Sequence, residues 1–247
     1  MRLHEAIGRK LRARRHTALL IALIALLAVR PFLGETGAAT ILFSSAILLV
    51  MLVALLTIQV DELVGDREAL LAQRRRRTFV AWAFVVPAVA ERVGVVFAPN
   101  PRLLLVGSAS WLLFFSYVAW SQLRSVLQQR EVTGETISMS ISIYLVLGLC
   151  WALLYAGIFM RHPEAFQFAT SVPRGGGEVY RFPILLYFSL TTLSTIGFGD
   201  ITPLTLPARY AAVAEGITGQ FYLAILVARL VGMQMSRAAE KTVERDR

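Results

Sequence analysis

The chain has 247 residues, 56% of them apolar and 17% charged, with a mean hydropathy of +0.62. This composition excludes an ordinary soluble domain, and at about 20 residues per span the length holds six membrane helices with short connections. Lys and Arg outnumber Asp and Glu by 25 to 16; in so apolar a chain the excess sets topology rather than attracting nucleic acid.

One cysteine, Cys150, excludes an intrachain disulfide, and the three histidines, His4, His16 and His162, show no metal-ligand spacing. Residues 1–16 carry Arg2, Arg9, Lys10, Arg12, Arg14 and Arg15, with Leu3, Ile7 and Leu11 recurring every four residues. This is the pattern of a basic amphipathic helix on a membrane surface; a disordered basic tail and a signal peptide fit the same residues. Apolar runs at 17–33, 38–60, 78–98, 103–123, 136–160 and 207–235 predict six spans. The fifth and sixth are separated by a shorter apolar stretch, Pro183 to Thr195, which predicts a re-entrant helix with Pro183 in its first turn. The preceding loop, Arg161 to Arg181, holds Pro163, Pro173 and the run Gly175-Gly176-Gly177 and reads as irregular and mobile. Counted on alternate sides, 17 of the 25 basic residues fall with the termini and seven opposite, which places both termini in the cytoplasm.

After the re-entrant stretch comes Thr191-Thr192-Leu193-Ser194-Thr195-Ile196-Gly197-Phe198-Gly199-Asp200, then Ile201-Thr202-Pro203. Glycine at alternate positions, Gly197 and Gly199, permits backbone angles that ordinary L-residues resist. The segment resembles the pore signature of bacterial potassium channels with a single pore loop and six transmembrane helices, and the likeness is best from Thr136 to Gly232. It implies an all-α membrane protein: six transmembrane helices plus one re-entrant pore helix and selectivity filter, assembled as a homotetramer because one chain supplies one filter strand. By the same resemblance K+ is the permeant ion, held by carbonyls of Thr195, Ile196, Gly197 and Phe198, with Gly199 at the outer mouth. Asp200, Tyr187, Thr191 and Thr192 are implied as filter support. Phe198 stands where many relatives have tyrosine, and Tyr187 where many have a tryptophan that bonds the filter aspartate.

Gly216 and Gly219 are gating candidates; Gly219 lies 24 residues beyond Thr195, the hinge offset of the family, and close helix packing is the alternative. Glu215 is a carboxylate inside a span, which is costly; pore-helix hydroxyls such as Thr191 or Thr192 are its expected partners, and a protonated, satisfied acid is the alternative. Arg229 is expected to point sideways, because four guanidinium groups facing a pore would repel cations. No residue between Arg102 and Arg124 is charged, so the fourth span lacks the arginines of a voltage sensor.

The resulting organisation is a cytoplasmic N-terminus (1–16), a four-helix transmembrane unit (17–123), a linker helix (124–135), a pore domain (136–235) and a cytoplasmic tail (236–247). The function expected is passive, weakly voltage-dependent K+ conduction across a cell membrane, without enzymatic activity, cofactor or nucleic-acid partner; three identical subunits and the bilayer are the partners. A potassium uptake transporter subunit and a non-conducting regulatory subunit are the alternatives.

Overall fold

The computed structural model describes residues 15–33, 37–61, 101–129, 132–169 and 178–245, together with helical residues at 82–83, 85–87 and 89–90. The expected N-terminal amphipathic segment, most of the third span and the triglycine run lie outside the described residues. Among the described residues six α-helices dominate: α1 Arg15–Val29, α2 Gly37–Asp61, α3 Pro101–Gln128, α4 Gly134–Arg161, α5 Glu178–Leu193 and α6 Leu206–Arg245. A two-stranded antiparallel ribbon joins β1 Phe166–Phe168 to β2 Ile201–Pro203, in the register Phe166 to Pro203, Gln167 to Thr202 and Phe168 to Ile201.

Among the described residues, α4 and the Leu206–Met235 part of α6 are long and apolar enough to cross a membrane; shorter apolar helices run over His16–Phe32, Leu42–Thr57 and Arg181–Leu193. Their packing centres on α4, which lies against α1, α3, α5 and α6. Leu19 and Leu23 of α1, Ile47 of α2, Phe114 and Val118 of α3, and Val146 and Leu149 of α4 form one buried core. That core reaches α5 through Phe182 and Leu186, with the Phe182 ring 6.4 Å from Phe43. The helices α1 to α4 therefore brace one side of α5. In lipid, close approach rather than hydrophobicity selects such contacts. At Gly148 of α4 a Cβ would meet Leu190 Cδ2 of α5 at 2.7 Å, so glycine sets the spacing there.

Helix ends are satisfied across elements, as the orphan amides and carbonyls of helix termini require. Thr133 and Thr136 form a capping box at the start of α4. Glu135, in the first turn of α4, accepts from the backbone N–H of His16 at 3.2 Å and from Thr17 Oγ1 at 2.6 Å, so it caps α1 as well.

The structure departs from the sequence reading at three places. Among the described residues, 124–135 form no helix of their own: Arg124–Gln128 end α3, and Gly134 and Glu135 open α4. The helix expected to start at Pro183 is α5, which begins at Glu178, so Pro183 lies inside it, beyond the first turn, where it costs one backbone hydrogen bond. The loop after Arg161 is ordered at its start, with a 3-10 turn at Pro163–Ala165 and the strand β1, a β element that an all-α reading omits. Beyond these three, the segment after Met235 continues α6 as helix to Arg245.

Candidate ion-conduction pore

The short helix α5 ends at Leu193, and the chain turns back on itself. Ser194 N–H donates to Leu190 O at 3.1 Å and Thr195 N–H to Thr192 O at 2.9 Å. The Thr191 carbonyl accepts from two backbone amides, Ile196 at 2.8 Å and Gly197 at 3.1 Å. The amides entering the loop are thus spent on the helix end. The backbone then alternates: Thr195, Gly197 and Gly199 have φ of 59°, 53° and 79°. Left-handed angles suit the two glycines, whereas a β-branched threonine bears strain of about 1–2 kcal/mol. Sequence reasoning marked the glycines and missed Thr195 as the third member of the alternation, since nothing in its residue type announces it.

Residues 195–199 are exposed, with Ile196 at 58% and Phe198 at 68%. Tyr187 Oη donates to Asp200 Oδ2 at 2.9 Å, and the Tyr187 ring stacks on Phe198 at 6.3 Å, the planes 1° apart. Asp200 is also tied through its backbone, its carbonyl accepting from Ala169 N–H at 2.8 Å, while Leu204 N–H donates to Ala165 O at 2.8 Å. The β-ribbon thereby fastens the chain leaving the Thr195–Gly199 loop to the end of α4. Tyr155, Phe166 and Phe188 hold the ribbon to α5 edge-to-face, with centroids 5.0 to 5.6 Å apart. Arg209 does not turn to Asp200; its Nε donates to Pro203 O at 3.2 Å.

Inside the bundle, Glu215 of α6 is fully buried and accepts from Ser189 Oγ of α5 and Tyr155 Oη of α4, both at 2.5 Å. Ser189 Oγ also lies 2.8 Å from Gly148 O. This corrects the expected partners: Thr191 Oγ1 donates to Phe188 O instead, and the hydroxyls that meet Glu215 are Ser189 and Tyr155. Which pore-helix hydroxyl faces α6 depends on helix rotation, which residue type does not report. Thr192 contributes its carbonyl. Gly219 packs against the end of α5, where a Cβ would meet Leu193 O at 2.1 Å, while one at Gly216 would meet Thr192 O at 3.9 Å. Tyr144 Oη of α4 donates to the same Leu193 carbonyl at 3.1 Å. Gly219 is thus a close-approach position within a continuous helix.

Below the loop, Gln220 Nε2 of α6 donates to Thr195 Oγ1 at 3.3 Å. From Gln220 a stripe of Leu223, Ala224, Val227, Ala228 and Val231 lines a shallow groove of about 620 Å³. The apolar window of α6 is 11% buried, against 50% for α4. Arg229 points away from this groove, its Nη2 donating to the carbonyls of Val126, Leu127 and Gln129 at 3.2, 2.6 and 3.0 Å.

Residues 143–235 match a family described as an ion channel. That match begins inside α4 and takes in α5, the loop with alternating φ and most of α6, which supports an ion-channel domain over these residues. The chain is also similar to two-pore potassium channel 4 of Arabidopsis thaliana, with 30% identity over 115 residues. The aligned part covers 47% of this chain and 39% of that relative, so the chain spans well under half of its length. No solved structure matches.

Proposed function

We propose that this chain is one of four identical subunits of a potassium-selective channel, with six membrane spans, both termini cytoplasmic and one re-entrant pore segment per subunit in a cell membrane. A potassium ion leaving water must be repaid with oxygen ligands at similar distances, and backbone carbonyls of a filter supply them. Thr195, Ile196, Gly197 and Phe198 offer those carbonyls, and Gly199 the outer mouth. The observation that carries the reading is the alternation of left-handed φ at Thr195, Gly197 and Gly199 directly after a short helix whose end carbonyls are spent on the loop's own amides.

Four copies follow from what one chain lacks. It supplies one filter strand, and the face of α6 beneath that strand is apolar and uncovered; a closed ring of four supplies three more strands and a lined cavity. The C-terminal end of each α5 brings partial negative charge toward this cavity, which favours a cation there. Asp200, held by Tyr187, forms an acidic ring at the entrance that gathers cations. With no charge between Arg102 and Arg124, the front helices respond weakly to voltage.

The test is the reversal potential of the purified full chain in liposome-derived bilayers with a potassium gradient on one side and sodium on the other. A reversal near the potassium equilibrium potential supports the reading; a reversal at the sodium or chloride potential, or no current, overturns it.

A further inference from the structure

We infer that the inner helix is held away from the pore axis by a polar stripe, Glu215, Tyr222 and Arg229, and that Arg229 is a positioning residue for the open pore. The inference rests on the channel reading above. The three residues are spaced by seven, so at 3.6 residues per turn they share one face of α6. Each bonds a different part of the surrounding bundle. Glu215 meets Ser189 of α5 and Tyr155 of α4; Tyr222 Oη donates to Ser140 O of α4 at 2.6 Å; Arg229 meets the end of α3. The Arg229 contact is chemically specific. The last carbonyls of a helix lack intrahelical partners and carry partial negative charge, so a guanidinium satisfies them in both hydrogen bonding and charge.

Arg229 lies roughly 180° around the helix from the stripe of Leu223, Ala224, Val227, Ala228 and Val231, at 3.6 residues per turn. The clamps therefore pull the lining face back from the axis. Four such apolar stripes, once released, bury each other at the axis and exclude water, which closes a pore by dewetting. A bend at Gly216 moves Tyr222 and Arg229 off their partners while leaving Glu215 in place. The upper clamp thus fixes α6 to the filter helix, and the lower two decide where its far half stands. This gives the front helices a mechanical role without charge: α3 ends on the inner helix.

The full-length chain is reconstituted in planar bilayers with symmetric potassium, and open probability is compared among wild type, Arg229→Met, Arg229→Lys and Tyr222→Phe. Arg229→Met is expected to lower open probability roughly tenfold, the scale of one charge-assisted hydrogen bond, with unitary current and the potassium-over-sodium reversal potential as in wild type. Arg229→Lys, which keeps a cation and donors for the same carbonyls, recovers most of the loss, and Tyr222→Phe shifts in the direction of Arg229→Met. An open probability for Arg229→Met at or above wild type overturns the inference while leaving the channel reading intact. Should Arg229→Met fail to assemble, Tyr222→Phe decides, and an unchanged open probability there overturns the inference. Absence of potassium current from wild type overturns the channel reading instead, and this inference with it.

Discussion

Gly219 and Gly216 sit one turn apart on α6, yet they face different demands. A methyl at Gly219 runs into the Leu193 carbonyl, a backbone atom that cannot step aside, whereas at Gly216 the nearest atom is at ordinary contact distance. Gly219→Ala should therefore lower the thermal stability of the detergent-solubilised assembly by about 1–3 kcal/mol, as overpacking does, while Gly216→Ala leaves it near wild type or slightly higher. Equal melting of the two variants contradicts the packing role. Tyr187 is a second single-residue case, because its ring stacks on Phe198 and its hydroxyl holds Asp200. Tyr187→Phe keeps the ring and removes the bond, worth about 0.5–1.5 kcal/mol, so sustained potassium current should decay several-fold faster with conduction retained. Decay kinetics identical to wild type would show that the bond does not stabilise the conducting filter.

At the scale of elements, the junction of α4, α5 and α6 is polar at its centre and apolar around it. Glu215→Leu leaves the Tyr155 hydroxyl buried without its acceptor and should cost about 1–3 kcal/mol of stability. Glu215→Gln keeps a carbonyl acceptor and should assemble normally but shift gating; unchanged conductance and gating in Glu215→Gln would remove Glu215 as a link between α6 and the filter helix. The elements themselves were largely legible. The apolar runs at 38–60, 103–123 and 136–160 fall within the helices Gly37–Asp61, Pro101–Gln128 and Gly134–Arg161, because long apolar runs without breakers favour helix. The ribbon was not legible, since three-residue strands are set by Phe166 docking on Phe188 and Tyr155, a contact between distant parts of the chain. Ser189 was passed over for a related reason. Serine in a helix usually bonds its own backbone, and only the rotation of α5 against α6 turns this one onto a carboxylate. Arg229 was expected to point sideways, and the structure adds what it finds there, the end of α3.

For the whole molecule, α1, α2 and α3 share one core with α5 and, through Arg229, α3 touches α6, while α3 carries no charge between Arg102 and Arg124 to move in a field. Each elementary charge crossing the membrane is worth about 2.3 kcal/mol per 100 mV, so a channel built this way should show an open-probability slope below about one charge across the physiological range. A slope of several charges, measured from single-channel records over ±100 mV, would require a sensor that α3 does not provide. On the proposed reading four strands from four chains make one filter, and mixing wild-type and variant subunits puts that to the test. Gly197→Val places a β-branched residue at a φ of 53° and should abolish conduction without touching neighbouring side chains in its own subunit. Co-reconstituted one to one with wild type, and with one variant strand enough to block, it should leave about 6% of the wild-type current, since about one ring of four in sixteen is wholly wild type. A residual current of about half, as for chains that conduct alone, or of about a quarter, as for pairs, would contradict the account.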